Sequence, residues 1–281
     1  MTFIVTLIAL LIERFFDWSH LRRWIWYVSF QRAVTERFNE KSPYFILSLT
    51  VIPLLIVVFC IQLILQNVLF GFVELLFQLF VLLYCLGPQN LWADTFVCIN
   101  ALMQDDTETA EKKLQTSFGK STIETNQSLH SQLLNHIFIA ANRRIFAILF
   151  WFIILGPIGA VLYRAMTLSS ANYPSQKAVP ELISSARVIE SILDWVPVRI
   201  FTCILALGGH CVKVLTCWRK RAPFGLHLND NILMECGAAA LGADDINHIA
   251  EDGSAEKNAL GLLDRALVIT IVGIAIIMFM I

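Results

Sequence analysis

The chain has 281 residues, of which 57% are hydrophobic and only 15% charged, with a mean hydropathy of +0.67 and a formal net charge of −1. A soluble domain carries about 25% charged residues. This chain has too few charges to wet its surface and too much apolar mass for one water-soluble core, which excludes an ordinary soluble enzyme and a disordered chain. The near-zero net charge gives no basic field for nucleic acid. The seven cysteines, at 60, 85, 98, 203, 211, 217 and 236, form no CxxC pair, which argues against a disulfide frame or a zinc site. Composition therefore predicts an all-α polytopic membrane helix bundle, a single integral-membrane domain over 1–281 whose first partner is the lipid bilayer.

In chain order, Thr2–Ile12 is an apolar run ending at Glu13 and Arg14, and the helix can reach Trp18. No basic residue precedes it and no small-x-small cleavage site follows, so it is not read as a removable signal. Phe45–Leu65 is 21 residues without a charge, enough at ~1.5 Å per residue to exceed a ~30 Å hydrocarbon core. Val68–Leu86 follows after only Gln66 and Asn67, so the two spans form a tight antiparallel hairpin; its one charge is Glu74. An intramembrane carboxylate is a functional candidate by default, with protonation or structural pairing as the plainer alternative.

Ile145–Tyr163 is a further uncharged stretch of 19 residues. Ile189–Leu207 contains Glu190, Asp194, Pro197 and Arg199, and reads as a kinked span or an interfacial helix. Ala266–Ile281 is slightly short, a deficit that bilayer thinning or Leu262–Leu263 can meet.

If all six segments are embedded, the stretches 13–44, 87–144 and 208–265 share one side and carry 17 Lys and Arg, against three in 164–188. Basic residues favour the cytoplasmic side. Both termini are then outside, and 87–144 and 208–265 are cytoplasmic loop regions. Four spans alone would place ten basic residues of 164–265 outside, so six embedded helices are preferred.

Within the loops, 104–133 looks helical, with Asp105 and Asp106 as natural N-caps and Glu108 and Glu111 suited to a first turn. Arg219–Ala222 is a short basic anchor beside Trp218. The stretch 229–256 is rich in Gly, Ala and Asp, with Gly237 and Gly242 as breaks. The string LQTSFGKS (Leu114–Ser121) lacks the first glycine of a phosphate-binding loop and the strand before it, and reads as solvated loop. His210, Cys211 and Cys217 lack ligand spacing, and no metal, cofactor or catalytic group is predicted.

The most informative block is Leu193–His210. Asp194 and Arg199 each cost ~2.5–3.5 kcal/mol at a bilayer centre if unpaired. Five residues apart on a straight helix they face ~140° away from each other, although Pro197 permits a kink. Trp195 suits an interface. Two readings remain open: an interfacial anchor with a snorkelling Arg199, or a polar cluster joined by Glu13 and Arg14.

The blocks ALLIERFF (Ala9–Phe16), LFWFIILGPIGAVLYRA (Leu149–Ala165), LDWVPVR (Leu193–Arg199) and ALGGH (Ala206–His210) resemble, in order and spacing, the AmpE family of Gram-negative inner-membrane proteins linked to regulation of β-lactamase induction. The same blocks are similar, more distantly, to the CobD/CbiB cobinamide-phosphate synthases. Leu149–Trp151, the Tyr163-Arg164-Ala165 triplet, and Asp194, Pro197 and Arg199 match synthase blocks. Two acid-bearing synthase motifs are replaced by IAANRRIFA (Ile139–Ala147) and MTLSSAN (Met166–Asn172), without an acid in either.

The resemblance implies an inner-membrane signalling modulator rather than a catalyst, acting in the response to antibiotic or cell-wall stress with a membrane or cell-wall-recycling partner. Its candidate functional residues are Glu13, Arg14, Tyr163, Arg164, Asp194, Trp195, Pro197, Arg199 and His210. The runner-up is an enzyme on the synthase-like scaffold. A small transporter would want paired polar residues along several spans, and only Glu74 and the Asp194–Arg199 segment qualify.

Overall fold

The structure, a computed structural model, describes residues 2–15, 24–38, 41–66, 71–86, 91–118, 128–171, 180–221, 225, 228–242 and 253–280. Among the described residues all regular elements are helical. Among these residues three helices are long and apolar enough to cross a membrane, Pro43–Leu65, Leu129–Leu155 and Ser254–Ile277, and the shorter apolar helices are Phe3–Glu13, Phe72–Cys85 and Leu91–Met103. The chain is an all-α membrane helix bundle. In hydrocarbon only structures that satisfy their own backbone are viable, which is why the apolar segments are helical throughout.

Contacts group the chain into two compact units, 1–88 with 147–193, and 89–146 with 194–281. The first unit contains α1 (Thr2–Phe15), α2 (Ile25–Arg37), α3 (Pro43–Leu65), α4 (Phe72–Cys85), α8 (Ala147–Leu155), α9 (Pro157–Ser170) and the start of α10 (Pro180–Gly208). Here α1 packs on α4, and α9 packs on α3, α4 and α8. Ile46 and Leu47 of α3 meet Leu182 and Ala186 of α10 in a buried apolar cluster. The Trp26 indole donates to the Tyr84 hydroxyl at 2.7 Å, and the buried Tyr27 hydroxyl lies 3.0 Å from Ser169 Oγ. One face of α3, including Ile52, Ile56, Phe59 and Leu63, is exposed, as a lipid-facing surface is in a membrane protein.

The second unit contains α5 (Leu91–Met103), α6 (Thr107–Phe118), α7 (Leu129–Ala141), a π-helical turn (Asn142–Phe146), the rest of α10, α11 (Cys211–Arg221), α12 (Asn229–Ala240) and α13 (Ser254–Met280). α7 contacts α5, α6, α12 and α13. The stretches 87–144 and 208–265, expected as loops, are thus largely helical and form most of this unit.

Several boundaries differ from the sequence expectation. The run Ile145–Tyr163 is not one span. Gly156 takes φ +66°, which an L side chain disfavours, and Pro157 follows at the first position of α9. The chain reverses there so tightly that a Cβ on Gly159 would come within 2.2 Å of the Trp151 carbonyl oxygen. The span instead runs from Leu129 to Leu155, through α7, the π turn and α8. Ile189–Leu207 lies inside α10, which continues through Pro197 as 29 residues of helix.

Leu114–Phe118 is the last turn of α6 rather than loop, while Gly119–Ser121 lies outside the described residues. Gly242 does end α12, at φ +86°, but Gly237 is interior to it. A Cβ there would strike the Phe138 ring at 2.4 Å, so this glycine lets α7 and α12 approach closely. Asp106 caps α6 by accepting the Thr109 N–H at 3.1 Å. Its neighbour Asp105 takes the left-handed turn position instead, φ 56°.

Candidate functional site

The π turn carries three consecutive polar residues, Asn142, Arg143 and Arg144, in the middle of an apolar membrane-length rod. π turns widen the helix locally and recur at functional sites. Polar groups buried in such a rod cost several kcal/mol each (about 2–7) unless hydrogen-bonded, so each must find a partner on a neighbouring helix. They find three acids on three different helices.

Asn142 Nδ2 donates to Asp194 Oδ1 of α10 at 3.1 Å, with both residues buried. Arg143 Nη2 donates to both carboxylate oxygens of Asp230 on α12, at 3.1 and 3.4 Å, in a half-exposed pair. Arg144 Nη1 lies 3.5 Å from Asp94 Oδ2 of α5, and its Nη2 donates to the Ser117 carbonyl at the end of α6. The buried Asp94 also meets Lys113 Nζ of α6 at 2.8 Å, so two cations flank one carboxylate. On α7 itself the buried His130 Nδ1 lies 2.7 Å from Oε1 of Glu256 in the first turn of α13. Removing one partner of such a buried pair strands the other charge, typically at ~3–5 kcal/mol. The arrangement can lock five helices, α5, α6, α10, α12 and α13, onto α7 and the π turn, and it presents alternating charge without an uncommitted carboxylate pair. Among the described residues no group of three or more His, Cys, Asp or Glu is placed to hold a metal ion.

The residues singled out from the sequence divide between the units. Glu13, Tyr163 and Arg164 belong to the first, where all three are buried and engaged by neighbours. Arg14 lies in α1 with its side chain outside the described residues. Asp194, Trp195, Pro197, Arg199 and His210 belong to the second.

Asp194 and Arg199 go to different partners. Asp194 faces Asn142, whereas the Arg199 guanidinium lies 4.0 Å from the centre of the Trp195 ring, donates to the Trp195 carbonyl at 2.7 Å and reaches Asn229 Oδ1 at 3.3 Å. Pro197 supplies no N–H to the Leu193 carbonyl four residues earlier, and the Trp151 indole donates to that carbonyl at 3.3 Å. The exposed His210 donates its backbone N–H to the Ala240 carbonyl at 3.0 Å, and its ring occupies the space where a Cβ on Gly242 would sit. Glu74, in the first turn of α4, accepts from Gln78 Nε2 at 3.0 Å.

Sequence reasoning noted Asn142, Arg143 and Arg144 only for the acid they lack. It missed Asp94, Lys113, Asp230, His130 and Glu256. A usable signal was present: two arginines abutting an uncharged run demand acids, and Asp94 stands in an equally apolar segment.

The family model described as regulatory signalling modulator protein AmpE matches residues 1–278. The cobalamin biosynthesis protein CobD of Chromobacterium violaceum is 29% identical over 172 residues, 60% of this chain and 55% of that protein. CobD of Stutzerimonas stutzeri is 30% identical over 165 residues, 58% and 54% of the two chains, so the matches span about half the length of these relatives. Protein AmpE of Shigella flexneri is 28% identical over 230 residues, 78% of each chain. No solved structure matches the chain.

Proposed function

The chain belongs to the AmpE family, and from that premise we propose that it is a multi-pass inner-membrane signalling modulator that tunes β-lactamase induction under antibiotic or cell-wall stress, and is not a catalyst. The observation that carries this reading is the match of the family model over residues 1–278. Its non-catalytic part is supported by the commitment of the carboxylates around the π turn: Asp94 is flanked by Lys113 and Arg144, Asp230 by Arg143, and Glu256 by His130. A Mg²⁺-bound phosphate needs carboxylates open to the metal. The partner on this reading is a membrane or cell-wall-recycling protein, and the loop-derived helices of the second unit face the cytoplasm.

The test is complementation. In a Gram-negative host with inducible β-lactamase and no AmpE-family protein of its own, this chain changes induced hydrolysis of a chromogenic cephalosporin. Unchanged induction with confirmed membrane expression overturns the reading. The CobD matches favour a second reading, a membrane enzyme on a related scaffold. Rescue of cobalamin synthesis in a strain lacking CobD would establish it in place of the first.

A further inference from the structure

Cys217 of α11 and Cys236 of α12 stand with their sulfurs 3.5 Å apart. The two helices are held in antiparallel register at their far end. His210 N–H donates to the Ala240 carbonyl at 3.0 Å, and Lys213 Nζ donates to the Gly242 carbonyl at 2.7 Å. Gly209 permits that closeness, since a Cβ there would meet the Ala240 oxygen at 2.4 Å. The pair is therefore placed by two independent fastenings and by the seating of Gly237 on Phe138 one residue beyond Cys236. We propose that Cys217 and Cys236 form a reversible disulfide that staples α11 to α12 by exchange with a small oxidised disulfide of the glutathione class.

The two thiols differ in the way such exchange requires. Cys217 is half-exposed and its thiol faces the Glu235 carboxylate at 3.9 Å, whereas Cys236 is buried. Burial, with Cys217 and Glu235 close by, holds the Cys236 thiol well above the ordinary range, so it stays protonated and unreactive toward solvent until the mixed disulfide on Cys217 puts an electrophilic sulfur beside it. In the first step Cys217 gives up its proton and attacks the small disulfide RSSR, forming the mixed disulfide and expelling RS⁻. That thiolate takes the Cys236 proton. The Cys236 sulfur then attacks the Cys217 sulfur and expels the second RS⁻, which is protonated by the proton Cys217 released. The protein dithiol is oxidised by two electrons, and RSSR is reduced to two RSH. Bond formation brings the sulfurs to about 2.05 Å, a closure of the hairpin that side-chain rotation and a slight helix approach can supply. The cytoplasmic placement proposed above decides only which redox pool sets the resting state, since a reducing cytoplasm keeps such a pair open except under oxidative load.

The experiment uses the full chain in detergent, equilibrated in glutathione redox buffers of stepped ratio, quenched with iodoacetamide and mapped by mass spectrometry. The expected result is the loss of two of the seven alkylatable thiols. They reappear as one Cys217–Cys236 cross-link that dithiothreitol reverses, and Cys217→Ser and Cys236→Ser each abolish it. With Cys236→Ser, Cys217 should accumulate as a mixed disulfide. Three results each overturn the proposal: seven alkylated thiols at the most oxidising ratio, a cross-link between other cysteines such as Cys203 and Cys236, or a mixed disulfide on wild-type Cys217 that never resolves. Because the wild-type map decides all three, poor folding of a variant leaves the test intact. Failure here also leaves the signalling reading standing, since complementation does not depend on it.

Discussion

The indole N–H of Trp151 fills the place of a missing backbone hydrogen bond by donating to the Leu193 carbonyl at 3.3 Å. Leu193 is four residues before Pro197, whose nitrogen carries no hydrogen, so this carbonyl has no helical donor. An acceptor left unsatisfied in an apolar setting costs about 1–3 kcal/mol. Trp151→Phe should therefore lower the melting temperature in detergent, in line with ~1–2 kcal/mol. Pro197→Ala restores the helical N–H, and in that background the same Trp151→Phe change should cost distinctly less. An equal loss in both backgrounds would show that the tryptophan acts only as bulk.

Asp194 and Arg199 separate in the same way. Asp194 is buried against Asn142, and Asn142→Leu leaves its carboxylate without that donor, at about 3 kcal/mol. Arg199 is partly exposed and rests on Trp195, so Arg199→Ala should cost only ~1 kcal/mol. Thermal shifts should rank Asn142→Leu well above Arg199→Ala, and Asn142→Leu with Asp194→Leu should recover part of the loss. The reverse order would return Arg199 to the centre of a buried cluster.

Asp94 offers a comparison within one site. Lys113 and Arg144 both face its carboxylate, but Arg144 is the more buried and also holds the end of α6 through the Ser117 carbonyl. Arg144→Ala should destabilise by roughly 3 kcal/mol and loosen the α6 terminus. Lys113→Ala, at a more exposed position, should cost about 1 kcal/mol or less. Limited proteolysis around 115–120 together with thermal shift checks both; equal sensitivity would mean that Arg144 does not fasten α6.

The membrane class and the apolar helices were legible because they rest on composition and on residues close in sequence. The helix ends were less so. Ile145–Tyr163 is uniformly apolar, and hydropathy cannot see that Gly156 and Pro157 reverse the chain, although the dipeptide is itself a turn signal. For the π turn the sequence signalled that Arg143 and Arg144 need acids, but not which acids. Asn142 and Arg143 meet acids 52 and 87 residues away, Asp194 and Asp230, and periodicity carries no information on which distant helix arrives opposite. Gly237 shows the same limit: it reads as a breaker until Phe138 is seen against it.

The cap of α6 gives a pH dependence. Asp106 accepts the Thr109 N–H, and hydrogen bonding by Thr109, through its side chain first and its backbone N–H second, holds the Asp106 carboxyl below the usual carboxylate range. A depressed carboxylate stabilises above its unfolded value and loses the contribution as pH falls through the folded one. The first turn of α6 should thus fray on acidification below about pH 4. Asp106→Asn keeps the cap without the titration, so it serves as the reference. Hydrogen exchange over 107–118 should rise in the wild type relative to Asp106→Asn as pH falls. Parallel exchange in the two would remove Asp106 from the account.

The proposed orientation in the membrane rests on the count of basic residues. Arg143 and Arg144 lie in the Leu129–Leu155 rod, and Lys257 and Arg265 lie in Ser254–Ile277, so these four belong to membrane-length helices rather than to the segments between them. Removing them from the 17 basic residues of 13–44, 87–144 and 208–265 leaves thirteen, against the three of 164–188. The bias survives the correction, and each basic residue near a span end favours the cytoplasmic side. Fusions placed after residues 121, 178 and 244, all outside the described residues, report the sides directly. Fluorescent-protein signal is expected at 121 and 244, and alkaline-phosphatase activity at 178. Phosphatase activity at 244 would put the second half of the chain outside and leave only four spans. It would also move Cys217 and Cys236 into an oxidising compartment, where the same pair would be closed at rest.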